Sequence, residues 1–232
     1  MKTPQIPLAM PVPAEQRFDT FVGSAEACRA VAASASGASA DWLFLCGPAG
    51  CGKTHLLMAA VAAAQAAGRS ARYLPMRVLA GSLTLALPGQ ERADLVCLDE
   101  LDRIGGDPAD QEGLFHFHNR ARAAGTRVIY AARAAPSLEV WSLPDLVSRL
   151  NQCSRFLLSP LGDSDRRELL QRRALLRGLT LEPAVLDYLF RRVGRDLGTL
   201  TGILDRLDRA SLAAKRRITL PLVRAVLGEP DA

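Results

Sequence analysis

Cys46-Gly47-Pro48-Ala49-Gly50-Cys51-Gly52-Lys53-Thr54-His55 satisfies the spacing G-x-x-x-x-G-K-[ST]. Its flanks are those the pattern requires. Before it, Trp42-Leu43-Phe44-Leu45 is an apolar run of strand length; after it, residues 56–67 are rich in Leu and Ala and read as a helix. Strand, glycine-rich loop and helix in that order make a phosphate cradle. The glycines let the backbone curl so that successive N–H groups point at phosphate oxygens, and the helix adds unpaired donors and the positive end of its dipole. We therefore expect Gly47, Pro48, Ala49, Gly50, Cys51, Gly52, Lys53, Thr54 and His55 to border a bound nucleotide. Lys53 would reach the β and γ phosphates, and Thr54 would ligate Mg²⁺.

A partner for the loop stands further along, where Ala93-Asp94-Leu95-Val96-Cys97-Leu98 reads as a buried strand ending in Asp99-Glu100. An acid at the carboxyl end of a parallel strand next to the loop-bearing strand is placed to hold the Mg²⁺, which assigns Asp99 to the metal. A second acid, Glu100, can orient an attacking water. Cys51 and Cys97 lie inside these motifs, where packing explains them better than chemistry.

At 232 residues, 49% hydrophobic, the chain can bury one sizeable core or an α/β domain with a small appendage. No uncharged apolar stretch approaches the roughly 20 residues of a membrane span, so no membrane contact is expected. Residues 1–13 carry a single Lys and are broken by Pro4, Pro7, Pro11 and Pro13, which excludes a secretory signal. Five scattered cysteines, none in a C-x-x-C pair, suit reduced cytoplasmic thiols rather than disulfides or zinc. The net charge of +5 rests almost wholly on arginine, interspersed with Asp and Glu, and reads mainly as a solvated surface. His116 and His118 alternate on a helical segment and lack a third ligand at metal spacing; they read as surface or packing residues.

The order is α/β alternation. Further strands are expected at residues 72–74, 127–131 and 156–158, with a helix at 110–124; the low-complexity stretch 31–40 reads as a helix end and exposed loop. From residue 163 the pattern turns helical, with segments at 166–177, 183–193, 197–215 and 221–227, each opening near an Asp, Glu or Pro suited to a first turn. The expected organisation is a flexible peptide (1–13), a nucleotide-binding α/β domain with a parallel sheet (14–160) and a small α-helical lid (161–232).

This motif order resembles the AAA+ ATPases, and within them the DnaA replication-initiator family. Phe18-Asp19-Thr20-Phe21-Val22-Gly23 is similar to the segment that lines the adenine pocket in that family, and Leu143-Pro144-Asp145-Leu146-Val147-Ser148-Arg149-Leu150 is similar to its arginine-finger segment, with Arg149 at the finger position. DnaA also carries an N-terminal helicase-interacting part and a C-terminal helix-turn-helix, for which we expect no room here. The resemblance is then to the DnaA-related regulatory inactivators, the Hda family. Leu204-Asp205-Arg206-Leu207-Asp208-Arg209-Ala210-Ser211 with Arg217-Ile218-Thr219-Leu220-Pro221 resembles their lid, and Gln5-Ile6-Pro7-Leu8-Ala9-Met10 resembles their sliding-clamp peptide. In the pattern Q-x-x-L-x-[LFM] the amide of Gln5 enters a polar notch while Leu8 and Met10 fill an apolar pocket.

The resemblance implies an adaptor. Bound to ADP (or ATP) with Mg²⁺, it would attach to the DNA-loaded sliding clamp (DNA polymerase III beta subunit) and present Arg149 to ATP held by DnaA, stimulating hydrolysis and preventing re-initiation. Arg149 and Glu100 are thus the residues assigned to catalysis, with the chain's own turnover weak or absent. It would be a cytoplasmic monomer or homodimer, associated with the nucleoid and with DNA through the clamp. Two positions depart from the family: the sensor 1 acid falls on Arg133 and the sensor 2 arginine on Gly198, with Arg195 about one helical turn away as a substitute. The alternative is an autonomous AAA+ ATPase such as a helicase loader. A DNA-binding initiator fragment is disfavoured because no helix-turn-helix is expected after the lid; Lys215-Arg216-Arg217 reads as a solvated helix end.

Overall fold

The computed structural model describes residues 16–193, 197–214 and 217–228, which fall into two compact units dividing between Pro160 and Leu161. Gln5, Leu8 and Met10, like Arg195, Lys215 and Arg216, lie outside the described residues.

The first unit is built on a five-stranded parallel sheet. Its strands are β1 (Leu43–Cys46), β2 (Ala71–Pro75), β3 (Leu95–Asp99), β4 (Arg127–Ala132) and β5 (Ser154–Leu157), in the order β2-β3-β4-β1-β5. Central strands of such a sheet are covered on both faces, so every residue of β1 and β3 is buried and the runs are almost continuously apolar. Their alternation sorts the core into two layers. Phe44, Val96, Leu98, Val128 and Tyr130 point to one face, where they pack with Leu114 and Phe117 of α5 (Pro108–Ala124) and Leu146 and Leu150 of α6 (Pro144–Asn151). Leu43, Leu45, Leu95, Cys97 and Ile129 point to the other, against Ala27 and Val31 of α1 (Ala25–Ser36) and Leu56, Leu57 and Ala60 of α2 (Lys53–Ala66).

Three expectations are corrected. The helix after the glycine-rich loop starts at Lys53 rather than at residue 56, so Lys53 and Thr54 form its first turn. The last strand starts at Ser154, two residues before the apolar run, because β5 is an edge strand whose Ser154 and Arg155 are exposed. The strand ending in Asp99 is not next to the loop-bearing strand: β4 pairs with both, and separates β3 from β1. Asp99 still meets the loop because α2, which follows β1, packs over β3.

Two short helices, α3 (Met76–Leu79) and α4 (Leu83–Ala86), were not expected. The buried Asp110 of α5 fastens them, its carboxylate accepting from the Gly81 N–H at 2.5 Å and the Leu83 N–H at 3.0 Å. Asp110→Ala leaves both donors without an acceptor and is expected to lower stability by about 2–4 kcal/mol, read as a reduced urea midpoint at unchanged slope.

The second unit holds α7 (Asp163–Leu176), α8 (Pro183–Arg192), α9 (Leu197–Ala214) and α10 (Leu220–Leu227). Leu170, Val185, Leu186, Leu189, Leu200, Leu204, Leu207 and Val223 form its core at helical spacing. α10 ends on Gly228 in the left-handed conformation (φ 79°). Among the described residues no helix is long and apolar enough to cross a membrane.

Candidate functional site

The chain leaves the carboxyl end of β1 through Gly47 and re-enters regular structure at Lys53, and sterics set the path between. At Gly52 φ is +97°, and a Cβ there would stand 2.7 Å from Cε2 of Phe21. At Gly47 an added Cβ would fall 2.2 Å from the Leu158 carbonyl oxygen. Glycine is required at both positions. Pro48, Ala49 and Gly50 are exposed at the crest of the loop, whereas Gly47 and Cys51 are buried beneath it. Lys53 folds back over this arc, its Nζ donating to the Gly47 carbonyl at 2.6 Å and the Pro48 carbonyl at 2.8 Å. The ammonium therefore sits inside the loop's own curve, where an anion cradled by the loop would meet it.

The other motif residues converge at the same end of the sheet. The Thr54 hydroxyl donates to Asp99 at 2.6 Å, and the Tyr73 hydroxyl donates to the same carboxylate oxygen at 2.9 Å. Burial, with the Asp99 carboxylate next, holds the Tyr73 phenol well above its ordinary range, so it stays a donor. Tyr73 is a member of the cluster that pattern reading missed, since nothing in a strand sequence marks a hydroxyl aimed at a neighbouring strand's end. Glu100 follows in the left-handed region (φ 59°), the one non-glycine residue with positive φ among the described residues. That conformation costs on the order of 1–2 kcal/mol, and the Glu100 N–H bonds the Asp99 carboxylate at 2.8 Å. One oxygen of the Glu100 carboxylate is buried with no partner among the described residues. Oxygen donors on Thr54 and Asp99, one of them a carboxylate, suit a hard ion that keeps several waters.

His55 is buried, but it serves the segment before α1 more than the loop. Its Nε2 lies 2.8 Å from the Arg17 carbonyl and 3.4 Å from the Thr20 hydroxyl, and its ring meets Phe21 edge-on at 5.5 Å. The 3₁₀ turn Phe18–Thr20 is thereby tied to α2. Arg133, at the end of β4, pairs with Asp102, its Nε 3.5 Å from Oδ2 and its backbone N–H 3.1 Å from Oδ1. Gly198 is an exposed residue of α9 whose carbonyl accepts from Thr201.

Arg149 lies elsewhere. It belongs to the last turn of α6 and, with Trp42, Cys153 and Ser154, lines a cleft of about 270 Å³ at the amino ends of β1 and β5. The glycine-rich loop leaves the carboxyl end of β1, so the two sites stand at opposite ends of one strand. The Arg149 guanidinium rests 5.5 Å from the centre of the Phe115 ring. In the wall of the cleft His118 bonds the Tyr130 hydroxyl through Nδ1 at 3.1 Å; burial, with Arg149 and Arg122 adding, pushes its pKa down to about 4. A histidine that is neutral when folded and ordinary when unfolded destabilises as it protonates. Stability is therefore expected to be complete above about pH 6.5 and to fall towards pH 4. His118→Gln should flatten that slope relative to the parent in urea titrations across the range.

Residues 163–227 match a family model described as Hda, lid domain. Among solved structures the chain is similar to domain III of the replication initiation protein DnaA from Thermotoga maritima, with a TM-score of 0.76 and 20% identity, covering 94% of this chain and 98% of that one. AMPPCP-bound DnaA from Aquifex aeolicus gives a TM-score of 0.70 at 23% identity, over 84% of this chain and 66% of that one. The Holliday junction branch migration motor RuvB of Thermotoga maritima gives 0.65 at 19%, over 92% and 71%. At these identities the likeness is one of fold: a P-loop α/β domain followed by a helical lid.

Proposed function

We propose that the chain, whose residues 163–227 match the Hda lid model and whose fold is that of DnaA domain III, regulates replication initiation by stimulating hydrolysis of ATP bound to DnaA. The observation that carries this reading is the position of Arg149. It lies across the sheet from the chain's own phosphate loop and makes no ion pair or side-chain hydrogen bond among the described residues. A guanidinium so placed serves a phosphate on another molecule. It would neutralise charge developing on the transferred phosphoryl group, and a finger supplied in trans is worth on the order of 10³ to 10⁵ in rate. At the other end, Lys53 would exchange its two carbonyl partners for phosphate oxygens of ADP or ATP. Thr54 and Asp99, already in contact, would hold Mg²⁺. The nucleotide would then fix the shape of the interface that DnaA meets, and Gln5, Leu8 and Met10 would bring the adaptor to the sliding clamp.

The test is hydrolysis of DnaA-bound ATP on clamp-loaded DNA, comparing the intact chain with one lacking residues 1–10. Stimulation that needs both the clamp and the peptide supports the reading; a chain that neither binds the clamp nor speeds hydrolysis overturns it. One observation favours the alternative of an autonomous ATPase: Glu100 keeps a carboxylate beside Asp99 with an oxygen buried and unpartnered, as a water-orienting acid requires. Rapid turnover by the isolated chain, abolished in Glu100→Gln, would decide for that alternative.

A further inference from the structure

We propose that Arg122 acts with Arg149 as the second anion-holding residue of a phosphate-binding cleft at the amino ends of β1 and β5, an inference that rests on the trans-acting role of Arg149 for the origin of its phosphate. The cleft is lined by both arginines together with Asp41, Trp42, His118 and Gln152. Its volume of about 270 Å³ is several times the roughly 30 Å³ that one water occupies in the liquid, and so admits a phosphoryl group.

Three neighbouring arginines of this unit are engaged. Arg120 pairs with Glu91, Arg133 with Asp102, and Arg127 donates to the Ser39 and Gly37 carbonyls. Arg122 and Arg149 instead stand over aromatic faces, Arg122 5.2 Å from the Trp42 ring centre and Arg149 5.5 Å from that of Phe115. Rings steer a guanidinium without consuming its donors, leaving each planar fork for a phosphate. Asp41 is the one carboxylate lining the cleft; it is exposed and accepts from the Ser39 hydroxyl at 3.0 Å. Two cations from separate helices share the cleft, neither in an ion pair among the described residues, and an anion entering it relieves their mutual repulsion. Phe115, His118 and Arg122 follow one another at helical spacing on α5, so a single face presents the cation, the buried ring behind it and the platform of Arg149.

Trp42 lies in the wall and supplies the readout. Pyrophosphate titrated into the full chain should change tryptophan fluorescence, and Arg122→Ala and Arg149→Ala should each weaken that response by about 10- to 100-fold. Arg122→Lys should recover part of it. Any pyrophosphate held by the glycine-rich loop is common to all four proteins and cancels. In the DnaA hydrolysis assay Arg122→Ala should lose about tenfold or more of the stimulation, with unchanged thermal midpoint confirming the fold. A fluorescence response that Arg122→Ala leaves intact overturns the cleft. A response that needs both arginines, from a chain that does not stimulate DnaA, upholds the cleft and overturns the function proposed above.

Discussion

Arg149→Ala is expected to lose stimulation of DnaA-bound ATP hydrolysis by on the order of 10³-fold, while keeping its fold, its nucleotide and its attachment to the clamp. The side chain is half-buried and its contact with the Phe115 ring is worth about 0.5–1 kcal/mol, too little to unfold the domain. It reaches none of the residues of the glycine-rich loop, which lies past the other end of β1, so the chain's own nucleotide has no reason to leave. Arg149→Lys retains the charge and loses the planar fork, and should recover only a small part of the rate. A variant that loses clamp attachment together with stimulation would mark Arg149 as structural; one that retains full stimulation would remove the finger altogether. Single-turnover hydrolysis by DnaA, with clamp binding measured on the same preparation, separates these results.

The second large effect belongs to Lys53. Lys53→Ala should weaken ADP and ATP binding by about 100-fold or more, because under the proposed function the ammonium would form charge-assisted bonds to phosphate oxygens, each worth about 1.5–3 kcal/mol. Stability should change little. Of the two carbonyls that Lys53 now satisfies, that of Pro48 lies at the exposed crest of the loop, where water can replace the ammonium, and only that of the buried Gly47 is left a partner short, a cost of about 1 kcal/mol. Titration with a fluorescent ADP analogue measures the loss directly. If the nucleotide shapes the DnaA-facing surface, stimulation should fall in the same variant and return at saturating nucleotide. Affinity unchanged by the substitution would mean that the loop does not hold the phosphates.

Much of the fold was legible because the central strands are apolar on both faces. β1, β3 and β4 announce themselves as unbroken runs, and the loop between β1 and α2 carries its own spacing. Edge and order were not legible. β5 begins with Ser154 and Arg155, polar because one side of an edge strand meets water, so the apolar run misplaces its start. Alternation of strands and helices says nothing of lateral order, and the insertion of β4 between β1 and β3 is a property of the crossovers. The site divides in the same way. Thr54 and Asp99 were paired by motif and stand 2.6 Å apart. Tyr73 was not, because only the register of β2 against β3, which sets Pro75 beside Asp99, brings its hydroxyl to that carboxylate. His55 falls within the loop motif, yet its hydrogen bonds run to Arg17 and Thr20, a connection across chain-distant segments that no local pattern carries. For the cleft, the spacing of Phe115, His118 and Arg122 was available in α5, but Trp42 and Arg149 join them only once the sheet is assembled.

The separation of the glycine-rich loop and Arg149 along β1 makes this unit directional and, under the proposed function, gives it a receiving end and a donating end that are not alike. Two copies stacked end to end about a two-fold axis would set Arg149 against Arg149 or loop against loop, and neither stacking lets one molecule act on the other's nucleotide. The productive contact is head-to-tail, and such a contact leaves a free end on each side of the pair. A chain of this design can cap the end of a row of like-folded subunits or be inserted within it, and which end it caps decides whether it gives its arginines or only takes those of its neighbour.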